Sequence, residues 1–425
     1  PRTGRYGSYF RCLTTYRKRP PIRLPVPKVK PPSPLRLTLI VCLVEIAGLS
    51  TIATFAALLP VFQQQWSLSH AAAGWISAAY YGGYVLWVPL LSAWTDRVDA
   101  RRIMGVGAVV SMLAALGYAL LAQGFWSALG LRFAAGAALA GIYMPGLKVV
   151  SDHAEGPLQS RFVSFYTASF SVGAAISYLL AGEINRWAGW RWAFAASALG
   201  AALALALLVV FVPPARFSKE NRRALWREFK TIVQSPPVMI YVWGYALHMW
   251  ELFSLRAWVV AFLVFNMALQ PPGAFVWSPT QVAFLITLLG VPSSIGGNEL
   301  ARIFGRRKII ALVMLISALV GITLGFMATA PYLLVVVVAL IYGMAVTGDS
   351  ASLTAGAVAA APPNLRGTTL AVHSTLGFGS AFAGPLSVGI VLDLFGGGHL
   401  AWAMGFVVMA STGLAGALML RPKPK

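Results

Sequence analysis

Twelve separate apolar runs, each close to the roughly 20 residues that carry an α-helix across a bilayer, divide this 425-residue sequence at short polar loops. They fall at 37–62, 70–93, 102–122, 125–151, 161–184, 190–212, 238–267, 279–301, 308–328, 331–358, 366–393 and 399–420, and are called spans 1 to 12. Lipid offers no hydrogen bonds to a peptide group, so only helices and closed barrels cross it. The runs are too long and too continuously apolar for the alternating strands of a barrel. The expected fold class is all-α and polytopic, with twelve transmembrane helices.

Charged residues make up only 11% of the chain and hydrophobic ones 58%. Soluble domains have about 25% charged residues, and a soluble protein this apolar would expose large sticky patches. A net charge of +21 ordinarily points to nucleic acid, but phosphate-binding cations must share one hydrated face. Here they stand in small clusters between spans, so no nucleic-acid partner is expected. Cys12 and Cys42 are the only cysteines, too few for a disulfide framework or a zinc site. No Walker motif, metal cluster or nucleophile–base set is present, so neither a cofactor nor catalysis is expected.

Lys and Arg set the orientation, because cytoplasmic loops retain positive charge. Of the 33, 29 fall on the side of the N-terminal arm, against Arg186 and Arg191 on the other, with Arg132 and Arg256 inside spans. Both termini are therefore expected in the cytoplasm of a multi-pass protein of a bacterial inner membrane. Residues 1–36, basic and Pro-rich, read as a disordered cytoplasmic arm without the apolar core of a secretory signal. Residues 213–237 read as a cytoplasmic linker between six-span halves at 37–212 and 238–420, with a basic tail at 421–425.

The halves repeat. Arg101-Arg102 after span 2 and Arg306-Arg307 after span 8 are 205 apart, as are Arg161 and Arg366; Glu45 and Glu251 are 206 apart. Parallel repeats of this kind belong to secondary transporters.

The chain resembles the major facilitator superfamily across residues 37–420. Its loop signature Gly-x-x-x-Asp-Arg-x-Gly-Arg-Arg is recognisable in SAWTDRVDARR, where Asp96, Arg97, Arg101 and Arg102 match, and again in GNELARIFGRR, which keeps Arg306 and Arg307 but has Arg302 where Asp is expected, leaving Glu299 to supply a carboxylate. AALLPVF resembles the motif closing helix 1, and LRFAAGAALAG the helix 4 motif beginning with a membrane Arg, here Arg132. The resemblance implies two bundles related by pseudo-twofold symmetry and a gating role for Asp96, Arg97, Arg101, Arg102, Glu299, Arg306 and Arg307. A topology cluster is the plainer account of the same charges. SFSVGAAISYLLAGE in span 5 lacks the Pro of drug/proton antiporters, while AGIYMPGLKVVSD, HMWELFSLRAW and GDSASLTAG look similar to cyanate and nitrate/nitrite carriers.

Ionisable groups at bilayer depth are costly and face a cavity or a partner. On a wheel with His248 at zero, Tyr245 falls near 60°, Arg256 near 80° and Glu251 near −60°. Glu45, Glu251 and Asp349 are the expected proton-coupling residues, since a buried carboxyl can take and release a proton near neutral pH. An interhelical ion pair is the alternative role for Glu45. Arg132, Tyr143, Tyr245, His248, Arg256 and His373 are the expected substrate-binding set. A guanidinium holds its charge and offers a donor fork suited to oxyanions. The expected function is a secondary active transporter, monomeric among membrane lipids, moving a small anionic solute with protons by alternating access. A proton-driven exporter of a metabolite or drug stays open, as does a non-transporting sensor or membrane enzyme.

Overall fold

The computed structural model describes residues 33–95, 97–153, 156–214, 225–271, 273, 277–362 and 365–421. These residues are almost wholly helical. The first half comprises α1 (Pro34–Gly48), α2 (Thr54–Ala57), α3 (Leu59–Gln65), α4 (His70–Trp94), α5 (Ala100–Leu121), α6 (Phe125–Asp152), α7 (Gly156–Ala188) and α8 (Trp190–Phe211). A short helix, α9 (Leu225–Val233), precedes the second half: α10 (Pro236–Ala268), α11 (Pro279–Phe304), α12 (Arg306–Phe326), α13 (Tyr332–Thr347), α14 (Ser350–Ala360), α15 (Arg366–Leu394) and α16 (His399–Leu420).

Local chemistry sets the helix limits. Ser69 Oγ accepts the Ala72 N–H at the start of α4, and Ser278 with Gln281 forms a capping box ahead of Pro279 in α11, satisfying donors that the first turn leaves free. Gly305, at φ 99°, turns the chain sharply between α11 and α12, a conformation that suits glycine. Among the described residues eleven segments are long and apolar enough to cross a membrane; α4, whose three Tyr and three Gly dilute its hydropathy, supplies the remaining crossing of a twelve-helix fold. Leucines such as Leu199 and Leu203 stay exposed on the outer surface, as lipid contact requires.

Two spans expected as continuous helices are interrupted. Span 1 is divided into α1, a 3-10 turn at Leu49–Thr51, α2 and α3; span 10 is divided between α13 and α14 at Gly348 and Asp349. Backbone groups freed inside a membrane must find partners in the protein. At the first break Ser177 Oγ donates to the Ser50 carbonyl and accepts the Ala53 N–H, while Arg132 donates to the Thr51 and Ile52 carbonyls at 2.9 and 3.2 Å. Those partners lie on α6 and α7, which is why hydropathy along span 1 does not reveal the break.

The halves meet where α4 packs on α15 and α7 on α11. Their polar contacts gather toward the end opposite the linker, called the far side. Asp393 near the end of α15 accepts the N–H groups of His70 and Ala71 at 2.9 and 2.8 Å and lies 2.8 Å from His70 Nδ1. Gln281 of α11 donates to Glu183 of α7 at 2.9 Å, and Gly182 abuts the Thr280 side chain. Tyr84 and Ser374 share a hydrogen bond at 3.1 Å nearer mid-depth.

Candidate functional site

Two buried polar centres sit between and within the halves. The first joins them. Arg132 from α6 and Arg256 from α10 are 3% and 7% exposed and line one cavity with Ser77, Tyr81, Tyr178 and Phe253. Its volume of about 20 Å³ holds little more than one ordered water. Arg132 lies 4.2 Å from the Tyr80 ring centre and 5.7 Å from that of Phe55, while Arg256 reaches Ser171 at 3.5 Å and its carbonyl accepts the Tyr178 hydroxyl. Among the described residues neither guanidinium has a carboxylate partner, and the Nε of each has no hydrogen bond. Two cations are thus buried against aromatic faces and neutral dipoles, an arrangement costly without a counter-charge and open to an anion.

The second centre lies inside the second half. His248 Nδ1 stands 2.8 Å from Asp349 Oδ1, with the two side chains 1% and 3% exposed. The Tyr245 ring stacks on His373 at 3.7 Å and faces His248 at 5.7 Å, and His373 Nε2 shares a hydrogen bond with Thr354 at 3.1 Å. Four of the expected residues on α10, the α13–α14 junction and α15 therefore come together. Arg256 does not join them: two turns beyond His248, it turns to α7. A wheel compares directions around an axis and ignores the height that separates these side chains.

The other two carboxyls face inward within their own halves. Glu45 accepts a hydrogen bond from Ser169 of α7, with its Oε1 unpartnered among the described residues. Glu251 accepts from Ser317 at 2.7 Å and Tyr342 at 3.0 Å. Tyr143 stacks beside Tyr166 with 5.8 Å between ring centres, and the Tyr166 hydroxyl donates to its carbonyl. It belongs to the first half's interior near Glu45, apart from both arginines.

Of the loop residues, Asp96 lies outside the described residues. Arg97 and Arg102 are exposed, and Asp99 caps α5 by accepting the Arg101 N–H. The repeat partners Arg101 and Arg306 behave alike, donating to the carbonyls of Val209 and Ser352 on neighbouring helices at 2.6 and 3.1 Å. Glu299 pairs with Arg302 at 2.7 Å on the same helix; Arg307 is partly buried, and its Nε has no partner among the described residues. Sequence reasoning missed Ser169, Ser171, Tyr178 and Ser317, whose only signal is a hydroxyl within an apolar run. It also missed His70 and Asp393, which look like ordinary span ends.

Comparison with known proteins bears on these centres. The family model described as Major Facilitator Superfamily matches residues 40–385. The chain is similar to protein spinster homolog 3 of Danio rerio, 24% identical over 185 residues, 43% of this chain and 37% of that protein. It is also similar to the probable sphingolipid transporter spinster homolog 1 of Arabidopsis thaliana, 24% identical over 152 residues, 36% of this chain and 31% of that protein. The match spans about a third of the length of these relatives. Among solved structures, a bacterial homolog of the human lysosomal transporter Spinster, inward-facing and unoccupied, superposes with a TM-score of 0.71 at 16% identity, covering 92% of this chain and 95% of that one. A D-xylose–proton symporter gives 0.70 at 17%, covering 91% and 97%. Both show a shared fold. Spinster-type relatives stand where the sequence strings suggested cyanate and nitrate carriers; of those strings GDSASLTAG is almost wholly small residues, a pattern that helix packing produces in many membrane proteins.

Proposed function

Because this chain belongs to the major facilitator superfamily, we propose that it is a secondary active transporter, a carrier rather than an enzyme, that moves a small anionic solute together with protons. The halves rock about the site between them, in a bacterial inner membrane with both termini cytoplasmic and the protein acting as a monomer. The observation that supports the anion is the pair Arg132 and Arg256, buried between the halves with no carboxylate partner among the described residues. Glu45, Glu251 and Asp349, each held at depth by a hydroxyl or an imidazole, are the groups available to carry the proton. The loop cluster of Arg101, Arg102, Arg306 and Arg307, with Asp96, Arg97 and Glu299, serves the gate on the linker side.

A second reading has one observation in its favour. The Arabidopsis relative is described as a probable sphingolipid transporter, and Tyr81, Phe253 and Phe378 form an aromatic group close to the arginines. An amphiphile with an anionic head would use both features.

Proteoliposomes with an imposed pH gradient test the proposal. A labelled small carboxylate, inorganic phosphate and a lysophosphatidate are offered in parallel. Saturable, gradient-dependent uptake of an anion is expected, and Arg132→Lys should raise its apparent KM about tenfold by removing the donor fork, an effect of about 1.4 kcal/mol. Preference for lipophilic cations, or anion uptake unchanged in both Arg132→Lys and Arg256→Lys, would reject the anion.

A further inference from the structure

We propose that the His248–Asp349 pair is the protonation switch of the carrier, acting on the break between α13 and α14 and, through α11, on the far-side seal. This rests on the proton-coupled reading above. Of the buried carboxyls, Glu251 accepts hydroxyl hydrogen bonds within the unbroken α10, and Glu45, in the last turn of α1 and one turn ahead of the break in span 1, accepts one from Ser169. Asp349 instead stands where the backbone ladder of its span is interrupted: the Gly348 N–H reaches back only to the Ala345 carbonyl, and the Asp349 side chain makes no capping bond to α14. Its Oδ1 is 2.8 Å from His248 Nδ1 but not aligned as a straight hydrogen bond, and His248 Nε2 has no partner among the described residues. The pair is close enough to share a proton, and its geometry leaves room to tighten.

The backbone groups around the break are held by α11. Ser293 donates to the Met344 carbonyl at 2.5 Å, Ser294 accepts the Ala351 N–H at 3.2 Å, and Ser352 donates to the Gly297 carbonyl at 3.4 Å. A Cβ at Gly297 would lie 1.8 Å from the Gly348 carbonyl oxygen, so α11 rests directly on the break. The same helix begins at the far-side seal, where Thr280 and Gln281 meet Gly182 and Glu183. The repeat supports a bend at this depth, since the offset of 205 carries Pro145, inside α6, onto Ser350, the first residue of α14.

The titratable groups around the pair are Tyr245 and Glu251 on α10, Tyr342 on α13 and His373 on α15. On α11, Glu299 and Arg302 pair with each other at an exposed end. One proton binds to the pair from one face and leaves to the other, with only N–H and O–H bonds made and broken. In a low-dielectric site, adding that proton changes the energy of every neighbouring dipole, and two arrangements of the break that differ in their preference for it shift in population.

A reporter on the seal reads this without a solute. In protein with Cys12→Ala, Cys42→Ala and Thr280→Cys, an impermeant maleimide is applied to proteoliposomes between about pH 5 and pH 8. The labelling rate, divided at each pH by that of the same protein unfolded so that ionisation of the thiol cancels, is expected to change about threefold or more, Asp349→Asn and His248→Gln each to abolish the change, and Asp349→Glu to restore part of it. If the reporter protein responds and both variants respond equally, the assignment fails while proton coupling stands. If the reporter protein does not respond, the switch and the coupled reading fail together. Should Asp349→Asn not purify as a monodisperse protein, His248→Gln decides alone.

Discussion

Gly136 and Arg132, one turn apart on α6, show how differently single residues declare themselves. A charge in an apolar run is visible in any sequence, and Arg132, Arg256, Glu45, Glu251 and Asp349 all prove deeply buried. Apart from His248 beside Asp349, their partners were not legible, because they are hydroxyls and carbonyls brought in by the fold: Ser169 for Glu45 and the Thr51 carbonyl for Arg132, across 124 and 81 residues. Gly136 shows only as one small residue within LRFAAGAALAG, yet a Cβ there would lie 1.7 Å from the Tyr80 carbonyl oxygen of α4. The clash would be with backbone, which cannot rotate away. Gly136→Ala should therefore force α4 and α6 apart at a cost of about 1–3 kcal/mol. A lowered unfolding temperature of the purified protein would register it; an unchanged one would mean that the helices separate freely.

At the level of elements, the twelve crossings were legible because hydropathy is set by composition over ~20 residues. The two interruptions were not, since each depends on who supplies the missing backbone partners. The far-side seal is likewise invisible along the sequence: Asp393 caps the first turn of α4, an element of the other half, by accepting two of its N–H groups. Losing such a cap costs about 1 kcal/mol, equivalent to about fivefold in an equilibrium. Asp393→Ala should then raise maleimide labelling of the Thr280→Cys reporter about fivefold, favouring the state open on the far side. Labelling at the original rate would show that the Gly182 and Glu183 contacts hold the seal alone.

For the whole molecule, the repeat offset and the asymmetry of Lys and Arg predict topology. A single cysteine at Lys219 in the linker and another at Gly273 between α10 and α11 should be labelled from opposite faces of sealed vesicles, with Lys219 on the cytoplasmic face. Labelling of both from one side would overturn the single crossing by α10 between the linker and that loop. A carrier that moves solute and proton in one direction must also change state with nothing aboard. Here the bonds from Arg132 to the Thr51 and Ile52 carbonyls matter in another way: if Arg132 binds the solute as proposed, the broken first span acts as a resident competitor. An incoming solute displaces the chain's own backbone, so measured affinity is the difference between two attachments. The empty carrier, already plugged by itself, can return without exposing a bare guanidinium fork to the membrane interior.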